Sequence, residues 1–176
     1  MENKDSNFTK PVRVGFKKLT PDAVLPKYAH VGDAGMDICA AEDVVLTAFV
    51  PRVVKTGLSA NIPEGYELQV RPRSGLAVKG ITVWNSPGTI DSGYKGEIGV
   101  ILVFSAPPEG FMGPGTNFMG HGTKFATAVK LPRFSISKGD RIAQLVLAPV
   151  TQCEVCEVTD IGMSERGEGG FGSTGK

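Results

Sequence analysis

Apolar and polar side chains alternate along much of this sequence. The alternation is clear over residues 12–16, 66–70 and 81–83, where every second position is apolar. Successive side chains of a β-strand point to opposite faces, so a strand with one face in the core and one in water has a period of two. These three segments are therefore predicted to be half-buried strands.

Three other segments, 44–49, 97–104 and 142–150, are more continuously apolar. Such runs are typical of strands that are buried on both faces. Residues that favour tight turns, mostly glycine, proline and aspartate, close nearly every run. Only residues 74–79 could form a short helix, and Ser74 is the expected N-terminal cap. Many short strands separated by turns indicate an all-β protein: a sandwich, a barrel or a jelly roll.

Length and composition narrow the class of protein. The 176 residues suit a single domain, or a protomer that completes its core by association. The 23 glycines and 12 prolines, about a fifth of the chain, favour turns over long helices. A net charge of +1 gives no electrostatic surface for non-specific binding to nucleic acid or membrane. No apolar run is long enough to span a bilayer. We expect neither nucleic acid nor membrane as a partner.

The cysteines and the N-terminus bear on the cellular compartment. Residues 1–10 are polar and carry both signs of charge, unlike a signal peptide. An odd count of three cysteines favours a reducing compartment. We expect a cytoplasmic protein, or a nuclear one if the source is eukaryotic, and not a secreted one. Cys153 and Cys156 supply only two of the four ligands that zinc needs. The simpler interpretation is two thiols on opposite faces of a strand, with Cys39 buried elsewhere.

Two segments depart from the strand pattern. Residues 105–124 hold five glycines and three prolines, and a connection of this length is unusual in a compact β domain. Residues 164–176 are rich in glycine and have no apolar run. The predicted organisation is a single β domain over 1–163, with an insert at 105–124, followed by a C-terminal arm at 164–176. A frayed terminus is the alternative interpretation of the arm.

The arm has the composition of a phosphate-binding loop. Its glycines allow backbone N–H groups to converge on an anion, and Ser173 and Thr174 add hydroxyl donors. Residues 170–176 fit the spacing G-x-x-x-x-G-K, but a P-loop also needs a preceding strand, a Ser or Thr after the lysine and a following helix. What remains is a flexible arm that contributes one arginine, Arg166, and one aromatic ring, Phe171.

Three further positions could carry chemistry. Arg73, at a predicted strand end, offers a planar set of donors for phosphate, although a basic turn is the simpler interpretation. Asp91 lies in a hairpin-like loop over 85–94 and could take a proton from water, although it could equally stabilise a turn. The third is the pair Asp33 and Asp37, whose carboxylates are the hard oxygen ligands that suit Mg²⁺ or its waters, although their spacing matches no metal motif.

Taken in order, five segments resemble the five motifs of the homotrimeric dUTP pyrophosphatases. They are residues 32–38, 73–77, 85–97, 139–145 and 166–175. The resemblance implies a jelly-roll-like β fold with one short helix that assembles as a trimer with shared active sites. It also implies Mg²⁺-dependent hydrolysis of dUTP to dUMP and pyrophosphate, which keeps uracil out of DNA and supplies dUMP for thymidylate synthesis.

The resemblance also implies roles for individual residues. Asp91 is the general base that activates water, and Asp37 holds Mg²⁺ through water while the metal sits on the triphosphate. Tyr94 packs under the deoxyribose and excludes a 2′-hydroxyl, and Phe171 stacks on the base. The implied substrate-binding residues are Arg73, Ser74, Gly75, Asn85, Gly88, Thr89, Ile90, Tyr94, Gln144, Arg166, Phe171, Gly172, Ser173 and Thr174.

Two alternatives remain beside this interpretation. A dCTP deaminase, which could be bifunctional, is a related enzyme, but the intact loop with Asp91 and Tyr94 argues against it. A regulatory binding protein would keep the nucleotide site as a switch and contact a protein partner through the insert at 105–124. The insert is where this chain departs from the family, whose members usually make a much shorter connection there.

Overall fold

The computed structural model describes residues 11–106 and 131–169. Within these residues the chain forms strands and one helical turn. The strands are β1 (Gly15–Lys18), β2 (Met36–Cys39), β3 (Val44–Thr47), β4 (Arg52–Lys55), β5 (Leu58–Asn61), β6 (Tyr66–Arg71), β7 (Ile81–Val83), β8 (Gly88–Ile90), β9 (Gly99–Phe104), β10 (Arg133–Ile136) and β11 (Arg141–Pro149), and the helix is α1 (Ser74–Ala77). The predicted all-β class is confirmed.

The strands form four small sheets with antiparallel pairing. The largest has the order β2-β11-β6-β8, and a three-stranded sheet has the order β4-β9-β7. Two further pairs, β1 with β5 and β10 with β3, complete the arrangement. Most neighbours are far apart in sequence, so the fold depends on long-range pairing, as in other sandwich-like β proteins.

The core lies between the sheets and is almost entirely aliphatic. Fully buried side chains include Ile38, Leu46, Leu58, Leu68, Ile81, Ile98, Leu102, Ile142 and Leu145. Each such side chain stabilises the fold by about 1.5–3 kcal/mol relative to exposure. The predicted alternation is confirmed in β6, where Leu68 and Val70 are buried, and in β7, where Ile81 and Val83 are buried.

Some details of the strand predictions are wrong. The first strand begins at Gly15, three residues later than the apolar pattern indicates. Residues 44–49 are not buried on both faces, because β3 ends at Thr47 and the side chain of Val45 is 45% exposed. A run of apolar letters cannot distinguish a doubly buried strand from one that leaves its outer face open. Over 142–150, only the first part of β11 is buried on both faces.

The helix is shorter than predicted, and Ser74 is not its cap. Arg73 is the N-cap residue, and its side chain makes no capping hydrogen bond. The backbone N–H groups of Leu76 and Ala77 donate to the carbonyl of Arg73, so Ser74 lies inside the first turn. The cap assignment was wrong because a serine at the start of a helix pattern cannot by itself distinguish the cap from the next residue.

The cysteine prediction is half confirmed. Cys39 is buried in β2, whereas Cys153 and Cys156 are exposed and lie in a segment without strand structure, so the strand interpretation of this pair is wrong. No group of three or more His, Cys, Asp or Glu side chains that could hold a metal occurs in the described residues. In the same part of the chain, no helix has the length and apolar character needed to cross a membrane.

After β11 the chain leaves the sheets. Residues 151–168 are exposed throughout, including the apolar side chains of Val155, Ile161 and Met163. The predicted domain limit at 163 and the arm that follows it stay predictions. Of the predicted insert at 105–124, only Ser105 and Ala106 lie within the described residues.

Candidate active site

One group of predicted site residues meets at a corner of the four-stranded sheet. Asp37 on β2 lies opposite Gln144 on β11, and Gln144 in turn lies opposite Arg71 at the end of β6. Two residues beyond that strand end, Arg73 reaches back toward Asp37. The register of three strands therefore brings together residues from three separate motifs of the sequence. We call Asp37, Arg73 and Arg141 the arginine–aspartate cluster.

The cluster is an ion network around one carboxylate. Arg73 Nε lies 3.0 Å from Asp37 Oδ1, and Arg141 Nη1 donates to Asp37 Oδ2 at 3.0 Å. Arg73 Nη1 also donates to the carbonyl oxygen of Arg141 at 2.7 Å. The Asp37 side chain is only 10% exposed, whereas that of Arg141 is 54% exposed. Two guanidinium groups around one carboxylate leave a net positive charge that is accessible to an anion.

Asp37 has one oxygen that lacks a hydrogen bond. Although Arg73 Nε is close to Oδ1, it is not aligned as a donor, and Oδ1 is the buried side-chain atom without a hydrogen-bond partner among the described residues. Buried polar oxygens normally accept at least one hydrogen bond. A water molecule of a hydrated Mg²⁺ fits this oxygen, because Mg²⁺ commonly keeps several waters and binds through few carboxylates and substrate phosphates.

Further predicted phosphate ligands lie around the cluster. Gln144 is packed against Gly35, where an added β-carbon would lie 3.1 Å from Gln144 Cβ. Ser74 and Gly75 are exposed in the first turn of α1, where backbone N–H groups lack acceptors within the helix. The sequence prediction missed Arg141. An arginine at the start of β11, inside the segment 139–145, was the available signal.

Asp91 lies at a different corner of the same sheet. It follows β8 directly, and because Ile90 pairs with Leu68, its position faces Glu67 on β6. The Asp91 side chain is exposed, and in residues 11–106 and 131–169 it forms no salt bridge. It opens onto a cleft of about 670 Å³, which is lined by Glu64, Gly65, Tyr66, Asp91, Ser92, Val150 and Gln152. An exposed carboxylate beside an open cleft can accept a proton from water.

A set of hydrogen bonds fixes the turn that follows Asp91. The Tyr94 N–H donates to the carbonyl of Asp91 at 3.0 Å. Lys95 Nζ donates to the carbonyl of Ser92 at 2.7 Å and to Asn61 Oδ1 at 2.9 Å, which ties the turn to β5. The Tyr94 hydroxyl donates to the carbonyl of Glu97 at 2.9 Å, and the tyrosine is 48% exposed. These hydrogen bonds hold Asp91 and Tyr94 in one turn.

The segment 85–94 is not a simple hairpin-like loop, which corrects the prediction. Residues 88–90 form β8 and pair with β6, while the preceding strand β7 belongs to the other sheet. Gly88 is buried, and a β-carbon there would lie 3.1 Å from Asn85 Nδ2. The Asn85 amide therefore lies directly over the strand. Ile90 is buried, whereas Thr89 is exposed.

A single chain does not bring Asp91 to the arginine–aspartate cluster. In a sheet with the order β2-β11-β6-β8, Asp37 lies on one edge strand and Asp91 directly follows the opposite one, which puts them about 14 Å apart across the sheet. Along the strands, the position of Asp91 at Glu67 is separated from Arg71 by about 13 Å. The predicted base and the predicted phosphate ligands therefore form two half-sites.

The arm is only partly described. Arg166 lies in an exposed turn, where its Nε donates to the carbonyl of Gly169 at 2.7 Å. This hydrogen bond lies within the turn itself, and among residues 11–106 and 131–169 none joins Arg166 to Asp91 or to the arginine–aspartate cluster. Phe171, Gly172, Ser173 and Thr174 lie outside the described residues.

Comparisons with known proteins agree on one family. The sequence matches the dUTPase family over residues 22–107 and 125–175. It is 47% identical to the deoxyuridine 5′-triphosphate nucleotidohydrolase of Thermobifida fusca, over 93% of this chain and 79% of that protein. The match to the relative from Clostridium tetani is 45% identical, over 91% of this chain and 94% of that protein.

The fold also matches a solved structure, that of the Staphylococcus bacteriophage 80alpha dUTPase with dUPNHPP. That match has a TM-score of 0.76 and 34% identity, and it covers 93% of this chain and 99% of the phage chain. The family match does not include residues 108–124, which fall inside the predicted insert. It includes both half-sites and the arm. The chain belongs to the dUTPase family.

Proposed function

We propose that this protein hydrolyses dUTP to dUMP and pyrophosphate with Mg²⁺, through a water molecule that Asp91 activates. This reaction keeps uracil out of DNA and supplies dUMP for thymidylate synthesis. The observation that carries the assignment of the base is the exposed Asp91 carboxylate, which lies beside a cleft and forms no ion pair with the described residues. A carboxylate in this position is open to a substrate water and can accept its proton.

The chemistry follows from these groups. The water oxygen attacks the first (α) phosphorus as its proton moves to an Asp91 carboxylate oxygen. The bond from this phosphorus to the oxygen that bridges to the second phosphate breaks, and pyrophosphate leaves with that oxygen. Negative charge accumulates on the phosphate oxygens in the transition state. Arg73 and Arg141 offer fixed positive charge for those oxygens, and Asp37 holds both guanidinium groups in place. Positioned charge of this kind is commonly the largest contribution to catalysis.

Asp37 is suited to hold Mg²⁺ through a water molecule and not as a direct metal ligand. It presents a buried oxygen without a hydrogen bond, and the described residues contain no cluster of metal-ligating side chains around it. Bound on the triphosphate, Mg²⁺ supplies charge neutralisation. Asp37 would accept a hydrogen bond from a metal-bound water, and Arg73 would contact the phosphates beside it.

The uracil and the sugar are assigned to the other half-site. We assign the uracil edge to the Asn85 amide and to the backbone from Gly88 to Asp91, since Asn85 packs on Gly88 at the start of β8. Tyr94, in the turn that follows Asp91, supplies an exposed ring face for the deoxyribose. We assign Phe171, Gly172, Ser173 and Thr174 of the arm to closure over the bound nucleotide.

A homotrimer with shared active sites is the assembly we propose. Its support is the distance between the two half-sites, which one chain leaves at different corners of a sheet. The exposed apolar side chains of Val155, Val158, Ile161 and Met163 add to it, because runs of exposed apolar residues are typical of interfaces. A closed ring of identical subunits allows each half-site to meet its complement on a neighbour.

Ion-exchange analysis of reaction products tests the proposal. The protein is incubated with dUTP, dCTP, dTTP or UTP in the presence of Mg²⁺. We expect dUMP and pyrophosphate from dUTP, and little product from the other three. Formation of dUTP from dCTP would indicate a deaminase instead, and an inactive protein that binds dUTP would favour a regulatory role. We further propose a cytoplasmic location, or a nuclear one in a eukaryote, in keeping with three free thiols.

A protein partner at the insert is a second candidate function beside catalysis. The observation that favours it is that the family match omits residues 108–124, so this segment is additional to the sequence that the family shares. The related phage 80alpha dUTPase belongs to a group that controls transfer of virulence genes. Replacing residues 107–124 by a short turn should leave hydrolysis and the trimer intact while abolishing capture of a partner. Loss of the trimer would instead make the insert a structural element.

A further inference from the structure

We propose that Gly96 is a specificity-determining residue of the site: its missing side chain fixes the Tyr94 ring, and so sets the discrimination between deoxyribose and ribose. This inference rests on the proposed function, in which Tyr94 contacts the sugar. Gly96 lies between Tyr94 and Glu97, in the turn that follows Asp91. It would act through Tyr94 rather than by touching substrate, so it is a positioning residue.

The contact between Gly96 and Tyr94 leaves no room for a side chain. A β-carbon at Gly96 would lie 2.5 Å from Tyr94 Oη, 2.7 Å from Cζ and 3.0 Å from Cε2. All of these distances are well below the 3.5–4.0 Å of an optimal non-bonded carbon contact. The hydroxyl end of the ring therefore rests directly on the glycine backbone. Any larger residue at this position must displace the ring.

The same hydroxyl end of the ring is also held by a hydrogen bond. The Tyr94 hydroxyl donates to the carbonyl of Glu97 at 2.9 Å, and Glu97 Oε1 accepts a hydrogen bond from the Gly57 N–H at 2.9 Å. The acceptor for the tyrosine is thus anchored to the turn before β5. The ring cannot move away from Gly96 without losing its hydrogen bond. Contact with the glycine and the hydrogen bond together define one position for the ring.

The conformation of Gly96 makes the steric effect separable from backbone strain. Its φ does not lie in the left-handed region that favours glycine, so alanine is compatible with the backbone there. The displaced atoms belong to the end of a half-exposed side chain, which can rotate outward without disturbing the core. An alanine at 96 should therefore leave the fold intact and shift only the sugar-facing ring. Space for a 2′-hydroxyl would open where the ring had been.

The matched control is Gly93→Ala. Gly93 lies in the same exposed turn, its φ is also outside the left-handed region, and a β-carbon there would meet nothing within 4 Å. The specificity constants, kcat/KM, are measured for dUTP and UTP with the wild type and both variants. In Gly96→Ala we expect the ratio of kcat/KM for dUTP to that for UTP to fall by about tenfold, the scale of a methylene-sized change in a substrate contact. Gly93→Ala should keep the wild-type ratio.

A double-mutant cycle with Tyr94→Ala shows whether Gly96 acts through the ring. If it does, Gly96→Ala changes the ratio in the wild-type background but changes it less than about twofold when the ring is absent, because contacting residues are not additive. An equal effect in both backgrounds, or a Gly96→Ala ratio like that of the Gly93→Ala control, overturns the inference. A wild type that does not hydrolyse dUTP overturns the proposed function instead. Thermal unfolding confirms that each variant is folded.

Discussion

Asp37 and Asp91 lie at opposite edges of the same sheet, and their surroundings differ in almost every respect. Asp37 is nearly buried and is held by Arg73 and Arg141, one of them reaching it from the loop after β6 and the other from the start of β11. Asp91 is exposed at the end of β8 and forms no salt bridge in the described part of the chain. The same functional group therefore has two different environments.

The difference indicates how two carboxylates can take two roles. A carboxylate between two guanidinium groups is committed to holding them, and its remaining oxygen suits a water on a metal ion. A carboxylate that is free beside a cleft can exchange a proton with a substrate water. On this basis we assign the chemistry to Asp91 and the positioning of phosphate and metal to Asp37.

Asp91→Asn should have the largest effect on turnover. The amide keeps the size of the side chain but cannot take the proton from water, so we expect kcat to fall by about 10² to 10⁴, the usual contribution of a positioned base. Binding of dUTP, measured by calorimetry, should stay close to that of the wild type. The control is Asp43→Asn, because Asp43 is an exposed carboxylate outside the five motif segments and accepts a backbone hydrogen bond from Lys138. Near wild-type turnover in Asp91→Asn would place the base elsewhere.

Asp37→Asn should reduce kcat/KM by about 10- to 100-fold, as expected for a residue that orients the groups around a metal. The amide is neutral and cannot balance Arg73 and Arg141, so both guanidinium groups lose their fixed positions. If Asp37 binds a metal water, the Mg²⁺ concentration for half-maximal rate should also rise. Asp43→Asn is the control, because Asp43 is an exposed carboxylate that accepts a backbone N–H. An unchanged kcat/KM at every Mg²⁺ concentration would refute this role.

Mixing two inactive variants tests whether Asp91 and the arm that acts with it come from different chains. One variant carries Asp91→Asn and the other lacks residues 164–176. In randomly mixed trimers we expect roughly a quarter of wild-type activity, since each site needs Asp91 from one chain and the arm from another. Mass spectrometry should verify that mixed trimers are present. If those mixed trimers are as inactive as either parent, the shared-site arrangement is wrong.

The smallest effect is expected at a surface ion pair near the turn that precedes β11. Lys138 donates a hydrogen bond to Asp22 and lowers the pKa of that exposed carboxyl below its usual value of 3.8. A lowered pKa in the folded state gives stability at neutral pH that is lost as the pH falls through this range. Lys138→Ala should therefore change the melting temperature only slightly at neutral pH, and even less in acid or in high salt. A large fall in the melting temperature would mean that this exposed ion pair contributes substantially to the stability of the fold, contrary to the prediction.

Much of the fold could be predicted from local patterns. The alternation in β6 and β7 was correct because a half-buried strand imposes a period of two on its own residues. The outer face of β3 was predicted wrongly, since Val45 is exposed although the run around it is apolar. Whether a second layer covers that face depends on distant strands, about which residues 44–49 carry no information.

Residue type and spacing were enough to predict the all-β class, the burial of Cys39 and the five segments by which the chain resembles its family. These features are encoded in residue type and spacing over a few positions. The contact of Arg141 with Asp37, 104 positions away, and the separation of Asp91 from both could be seen only in the folded chain. The physical reason is register: the pairing of β2, β11, β6 and β8 sets which distant side chains meet, and a shift of one residue would turn each of them to the opposite face.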